Sequence, residues 1–300
     1  MRLLIFGFGF SGQALTRRLA PRGWEVMATY RSDPAPLIAS GVQPIALDDP
    51  GALDASLAQA RAVLITAPPT DHGCPALQVL VPALARAKAF PDWIGYLSTT
   101  GVYGDREGGW VFEGGRLAAQ SLEGARRVSA ERDWLEVGRG MGLTVTVHRL
   151  PGIYGPGRSA LDRLRAGTAR RYAVPGHVFS RIHVDDLAAG LEASIARPRA
   201  GGIYNLCDDE PCSNSEVIAY AARLLGMTPP PEESLDLETL TPQARRFYAE
   251  TKRVSNARAK AELGWRPAFP SYREGLAAIL AAGSTNQSST APQIHSPIVE

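Results

Sequence analysis

The chain has 300 residues, 45% hydrophobic and 21% charged, which is ordinary globular composition and length enough for a large α/β core with an appended lobe. A formal net charge of +2 gives no electrostatic case for nucleic acid or an anionic membrane as partner. The opening run Met1–Phe6 is too short for a signal-peptide core, and no segment approaches the ~20 apolar residues of a membrane span, so a cytoplasmic protein is expected. Cys74, Cys207 and Cys212 lack metal-ligand spacing and read as buried or indifferent thiols.

In the first half, short apolar runs alternate with helical patterns. The spacing predicts a strand at 3–6, a helix over 11–20 closed by Gly23, strands at 24–30 and 42–47, and a helix over 53–60. A strand at 62–67, stopped by Pro68-Pro69, is followed by a helix over 76–89, a strand at 93–98, a long helix over 117–137 and a strand at 144–150. This alternation implies a parallel sheet with helices on both faces. Beyond Leu150, the residues Pro151, Gly152, Gly155, Pro156 and Gly157 mark a loop. Helices over 185–196, 213–225 and 272–282 and a strand at 202–207 follow. The expected organisation is a first domain over 1–150, a smaller substrate lobe over 151–283 that returns in part to the sheet, and a disordered polar tail over 284–300.

The segment Gly7-Phe8-Gly9-Phe10-Ser11-Gly12 joins the first strand to the first helix. Dinucleotide chemistry needs such a turn: Gly7 permits the tight bend, Gly9 leaves room for a pyrophosphate, and Gly12 lets helix and strand approach closely. The helix start offers free N–H groups and a positive dipole end. The fold class that follows is α/β, a Rossmann doubly wound parallel sheet with a small C-terminal substrate lobe.

The end of the second strand selects the cofactor. Arg31 and Ser32 stand where NAD-binding folds usually carry an acid for the ribose 2′-hydroxyl, and a guanidinium fork suits a 2′-phosphate. NADP is therefore expected, with NAD the alternative because Asp33 follows at once. Asp48 stands ready to accept from the adenine amine, although Asp48 or Asp49 could equally cap the next helix. Ala67 and Pro68, at the end of the fourth strand, complete the expected cofactor contacts.

Several segments together resemble the extended short-chain dehydrogenase/reductase family, in its NAD(P)-dependent epimerase/dehydratase-like branch. They are Leu97-Ser98-Thr99-Thr100-Gly101-Val102-Tyr103-Gly104, Arg149-Leu150-Pro151-Gly152-Ile153-Tyr154-Gly155-Pro156-Gly157, Arg181-Ile182-His183-Val184-Asp185-Asp186-Leu187-Ala188, Ile203-Tyr204-Asn205-Leu206 and Glu262-Leu263-Gly264-Trp265. The resemblance implies a Ser/Thr, Tyr and Lys active site. Thr99 falls at the Ser/Thr position, with Thr100 its neighbour in reserve. With Glu131 aligned to the family's Glu beyond the Lys, Arg127 takes the Lys position and Glu123 the Tyr position, so the pair is missing. Arginine cannot exchange protons usefully but still holds a ribose or phosphate; Glu123 and Arg127 could also be a plain surface pair. Tyr248 and Lys252 have the spacing but lie far beyond strand five, in the smaller lobe, and read as chance.

Tyr103 is a candidate for facing the cleft and acting in catalysis. Thr100, His177 and Arg181 are candidates for substrate contact, the last two for an anionic group, while His183 reads as structural. The functional expectations are an NADP-dependent oxidoreductase or epimerase/dehydratase-like enzyme on a small polar or sugar-like substrate, or else a non-catalytic NADP(H)-sensing protein. Homodimerisation is expected only through the resemblance.

Overall fold

The computed structural model describes residues 1–236, 238–240, 245 and 248–288. Its first half runs β1 (Arg2–Phe6), α1 (Phe10–Leu19), β2 (Glu25–Tyr30), α2 (Ala35–Ala39), β3 (Gln43–Ala46), α3 (Pro50–Gln59), β4 (Ala62–Ile65), α4 (Pro75–Ala87), β5 (Trp93–Thr99), β6 (Trp110–Val111), α5 (Leu122–Met141) and β7 (Val145–Leu150). Then come β8 (Gly152–Tyr154), α6 (Ala160–Arg165), β9 (Arg171–Ala173), β10 (Arg181–His183), α7 (Val184–Ala196), β11 (Gly202–Asn205), α8 (Asn214–Leu224), β12 (Glu232–Ser234), β13 (Arg253–Val254) and helices at Ala257–Leu263 and Tyr272–Ser288.

The central sheet has seven strands in the order β11-β7-β5-β4-β1-β2-β3. All its pairings are parallel. Both faces are covered, as a parallel sheet requires. Along β1 the side chains alternate between two cores: Leu3 and Ile5 pack with Leu15 and Leu19 of α1 and Leu187 and Leu191 of α7, while Leu4 and Phe6 pack with Leu53 and Leu57 of α3 and Leu80 and Leu84 of α4. Full burial of each such side chain stabilises by about 1.5–3 kcal/mol. Because the chain leaves β1 toward β2 and β3 and then crosses back to β4, a crevice opens at the C-terminal ends of β1 and β4, the switch point at which open α/β sheets bind ligands. A third core, including Leu161, Ile218, Tyr272 and Leu276, lies under α6, α8 and the last helix.

The sequence reading and the structure differ in places. The stretch after Leu150 read as loop contains β8, because Gly152–Tyr154 pair in register with Arg181–His183 of β10, a partner invisible to local pattern. The long helix begins at Leu122, where the Ser121 hydroxyl accepts from the Gly124 N–H and caps it, rather than at 117. The last helix continues through Ser288, so residues 284–288 of the expected disordered tail are helical; it propagates from a turn anchored by buried Tyr272, Leu276 and Ile279. The remainder of that tail, 289–300, lies outside the described residues.

Candidate active site

The glycine turn divides its labour. Gly7 adopts φ +88°, and a Cβ there would meet Thr66 Oγ1 at 3.0 Å. The Gly7 N–H donates to Thr29 Oγ1 (3.1 Å), and Thr66 Oγ1 donates to the Gly7 carbonyl (2.6 Å), which pins the bend between β2 and β4. Gly9 is different: its φ is −97°, and a Cβ there would have nothing within 4 Å. The space in front of Gly9 is open, and α1 starts there with no acidic residue in its first turn. A Cβ on Gly12 would touch Ile5 and Phe8 at 3.4 and 3.5 Å, so this glycine seats α1 on β1. Ser11 is half-buried on the same turn. The Ala67 N–H donates to Phe6 O (3.3 Å), bringing Ala67 and the exposed Pro68 to the rim of the crevice, although β4 ends at Ile65, before both.

Arg31 and Ser32 are exposed immediately after β2. Asp33 turns to its own segment, its Oδ1 accepting from the Ala35 N–H (2.9 Å) at the start of α2. Of the two candidates for capping α3, Asp49 takes the role, accepting from the Ala52 N–H at 2.9 Å, and Asp48 stays exposed beside it.

Thr99 is the last residue of β5, and its Oγ1 accepts from the Gly101 N–H (3.1 Å) as the cap of a short 3₁₀ turn over Thr100–Tyr103. Thr100 is buried within that turn. Arg127, half-buried on α5, donates through Nη1 to the Leu97 carbonyl at 2.9 Å, which fixes a cation against the end of β5.

Tyr103 does not face the cleft, contrary to the sequence reading. It is fully buried; its hydroxyl donates to Asn205 Oδ1 (2.8 Å) and accepts from Arg149 Nη1 (3.0 Å). Arg149 also holds the Glu131 carboxylate (Nη2–Oε2 2.7 Å) and donates to the Glu113 carbonyl (2.9 Å). Ser98 donates to Glu131 Oε1 (2.5 Å), and Glu113 Oε1 accepts from the Asn205 N–H (2.9 Å). Burial pushes the Tyr103 hydroxyl above its usual value, and burial likewise raises the Glu113 carboxyl. The signature tyrosine is part of a brace that ties β5, α5, β7 and β11 together.

On the side of the second half a cleft of about 910 Å³ opens, its lining including Tyr154, Arg158, Arg163, Tyr172, Arg181 and Tyr248. Arg181 is buried, donating to Cys212 Sγ (2.5 Å) and Cys212 O (3.4 Å), with Phe179 4.2 Å from its guanidinium carbon. His177, a candidate for substrate contact, lies on the loop between β9 and β10 but is buried and off the cleft lining, its ring 6.2 Å from Phe179 and 5.2 Å from Tyr248. Apolar and aromatic packing at Phe179 and Tyr248 draws it inward. His183 caps α7, its Nδ1 accepting from the Asp185 N–H at 3.2 Å.

The distant Tyr248/Lys252 pair is divided by its surroundings: Tyr248 lines the cleft, while buried Lys252 donates through Nζ to the Gly104 carbonyl (2.9 Å) and pairs with Glu250. Arg163, Tyr154 and Tyr172 were not anticipated; the signal available was the run Arg158, Arg163, Arg165, Arg170, Arg171 between two helical patterns. Among the described residues no cluster could hold a metal ion, and no helix is long and apolar enough to cross a membrane.

No protein-family model matches the chain. Protein YeeZ of Escherichia coli (strain K12) is 30% identical over 287 residues, covering 90% of this chain and 96% of YeeZ. The chain belongs to the extended short-chain dehydrogenase/reductase family. A functionally unknown conserved protein from Silicibacter pomeroyi DSS is 46% identical, with a TM-score of 0.83 over 94% of this chain and 99% of that one. DesIV, the dTDP-glucose 4,6-dehydratase of Streptomyces venezuelae solved with NAD and TYD bound, is 22% identical with a TM-score of 0.76, covering 96% of this chain and 98% of that one. At that identity the likeness concerns the fold. Within the family, this member carries Glu123 and Arg127 at the α5 positions that the sequence resemblance aligns with the Tyr and Lys.

Proposed function

We propose that the chain is an NADP(H)-dependent oxidoreductase or epimerase-like enzyme acting on a small polar substrate. The observation that carries the reading is Gly9: it sits at the start of a ten-residue helix, its backbone would accept a side chain, and the space a side chain would fill is left open. A pyrophosphate fits that opening, facing the free N–H groups of Phe10, Ser11 and Gly12. Arg31 and Ser32 would hold a 2′-phosphate, with Asp33 already engaged by Ala35. The bound DesIV cofactor agrees with this type of ligand.

When bound, the nicotinamide supplies or accepts a hydride. The protein's own part is positioning. One lone pair of Thr99 Oγ1 is taken by the Gly101 N–H, which leaves its O–H to donate to a substrate oxygen. Arg127, held on Leu97 O, presents a permanent positive charge to a ribose and moves no proton.

Calorimetric titration with NADP, NADPH, NAD and NADH tests the cofactor reading. NADP(H) should bind more tightly than NAD(H), and Arg31→Ala should erase about tenfold of that preference, the worth of one charge-assisted contact. Absence of binding by all four would overturn it.

The Glu123/Arg127 replacement favours a second reading, a protein that senses NADP(H) redox state without turnover. Different affinities for oxidised and reduced cofactor, with no change in nicotinamide absorbance across a broad carbonyl and alcohol panel, would support it. Activity abolished by Thr99→Ala would exclude it.

A further inference from the structure

We propose that His72, at the tip of the loop between β4 and α4, faces the nicotinamide end of the bound cofactor and gives and takes the proton that accompanies hydride transfer, in place of the missing tyrosine. This rests on the reading of the glycine turn as an NADP(H) site.

A dinucleotide with its pyrophosphate at Gly9 and its 2′-phosphate at Arg31, after β2, sends its other half the opposite way along the sheet order β5-β4-β1-β2, over the ends of β4 and β5. The loop over residues 66–74 leaves the sheet there, and its tip is a tight reversal. Thr70 and Gly73 exchange backbone hydrogen bonds (2.8 and 3.2 Å), and Gly73 adopts φ +92°. The His72 N–H donates to Thr70 Oγ1 (3.2 Å), and Gln78 Nε2 of α4 donates to the His72 carbonyl (2.7 Å). Asp71 forms an ion pair with Arg126, which docks the tip on the second turn of α5. Arg126 lies beside Arg127 and one helical turn from Glu123, the position that the resemblance aligns with the tyrosine. At the end of the loop, Cys74 acts electrostatically on the buried Tyr96 hydroxyl, and so does Arg127, so the loop and the site cation converge on β5. His72 therefore stands next to the residue that holds the tip on α5. Its ring is exposed and, among the described residues, makes no hydrogen bond, ion pair or ring contact.

The charged and titratable groups around the tip are Asp71 and Cys74 on the loop, Glu123, Arg126 and Arg127 on α5, and Tyr96 on β5. Against these, His72 is of the side-chain type that changes charge between about pH 5 and about pH 8. As a substrate carbonyl carbon takes the hydride of NADPH, its oxygen takes the proton of the His72 imidazolium. An alcohol, NADP and a neutral imidazole remain, and the imidazole regains its proton from water; the reverse reaction returns the proton by the same route. The nicotinamide ring is neutral in NADPH and positively charged in NADP. A facing imidazole is therefore favoured as the cation in the reduced complex and as the neutral ring in the oxidised one, which are its states before and after the transfer.

The test uses the full chain with NADPH and with NADP, and follows the histidine ring resonances by NMR from about pH 5.5 to about pH 8.5. His72 is assigned by the signal lost in His72→Gln. Its titration midpoint should lie about half a pH unit or more lower in the NADP complex than in the NADPH complex. By linkage, the calorimetric ratio of NADPH to NADP affinity should rise about twofold or more from the higher pH to the lower in the wild type, and should stay flat in His72→Gln. The 2′-phosphate titrates alike in both forms and drops out of that ratio. Equal midpoints in the two complexes, or a pH dependence of the ratio that survives His72→Gln, overturns the assignment of His72 while leaving the cofactor reading in place. Absence of binding of both cofactors to the wild type overturns the cofactor reading and the role of His72 with it.

Discussion

Gly7 and Gly9 belong to one motif, yet substitution should separate them cleanly. Gly7→Ala forces a side chain into a left-handed backbone against Thr66, so a loss of about 1–3 kcal/mol is expected in denaturant unfolding. Gly9→Ala meets no protein atom within 4 Å and should leave unfolding within about 0.5 kcal/mol while dinucleotide affinity falls at least tenfold. A Gly9→Ala protein that unfolds early, or binds as before, would contradict the division. Asp208 sets a second expectation at this scale. Its folded pKa lies above its unfolded one, so between about 4 and about 8 the native state holds a proton that the unfolded state has lost, and stability falls as pH rises through that window. Asp208→Asn should therefore raise the melting temperature more at pH 8 than at pH 5; an equal shift at both would remove the argument. The glycine roles were legible in the motif, whereas the state of Asp208 was not readable locally. Asp208 sits in a polar-looking Cys-Asp-Asp-Glu stretch, and only the return of β10 and the loop after β11 makes it a buried acid.

Elements buried on both faces were legible where the run is apolar, as in β4, every residue of which is buried. Short pairings were not: β8 with β10, β9 with β12 and β6 with β13 depend on partners far along the chain. The same holds for the brace among β5, α5, β7 and β11. Glu131 lies on α5, and Arg149, 18 residues on, holds its carboxylate inside. Burial opposes the charge on Arg149, while Glu131 and Tyr103 sustain it. Removing one partner leaves the other charge buried and alone, so Arg149→Met should cost about 3–5 kcal/mol, whereas Arg149→Met combined with Glu131→Leu should recover part of that loss. Urea unfolding of the two variants measures it. A double mutant no better than the single one would mean that the brace acts through its neutral members, Tyr103 and Asn205.

At the scale of the whole molecule the two halves are not separable. The seventh strand, β11, comes from residues 202–205, and α7 contributes Leu187 and Leu191 to the core that α1 also lines. A fragment ending at residue 150 lacks both, exposes one side of α1 and leaves β7 as an uncovered edge, so it should show no cooperative unfolding transition; a sharp thermal transition from the isolated fragment would refute this. The glycine turn and the strand alternation made the dinucleotide half readable, while the cleft opposite it is built from long-range packing of Arg163, Arg181 and Tyr248. The position of β11 in the sheet also has a consequence for biosynthesis. Residues of β7 leave the ribosome before the strand that covers them, and at ordinary elongation rates the gap lasts on the order of 3–10 s. During that interval the nascent chain presents an unpaired strand edge, Val145–Leu150, in a sheet whose β1, β4 and β5 strands already exist. Vectorial synthesis thus leaves the first half dependent on protection from nascent-chain aggregation until residue 205 is out.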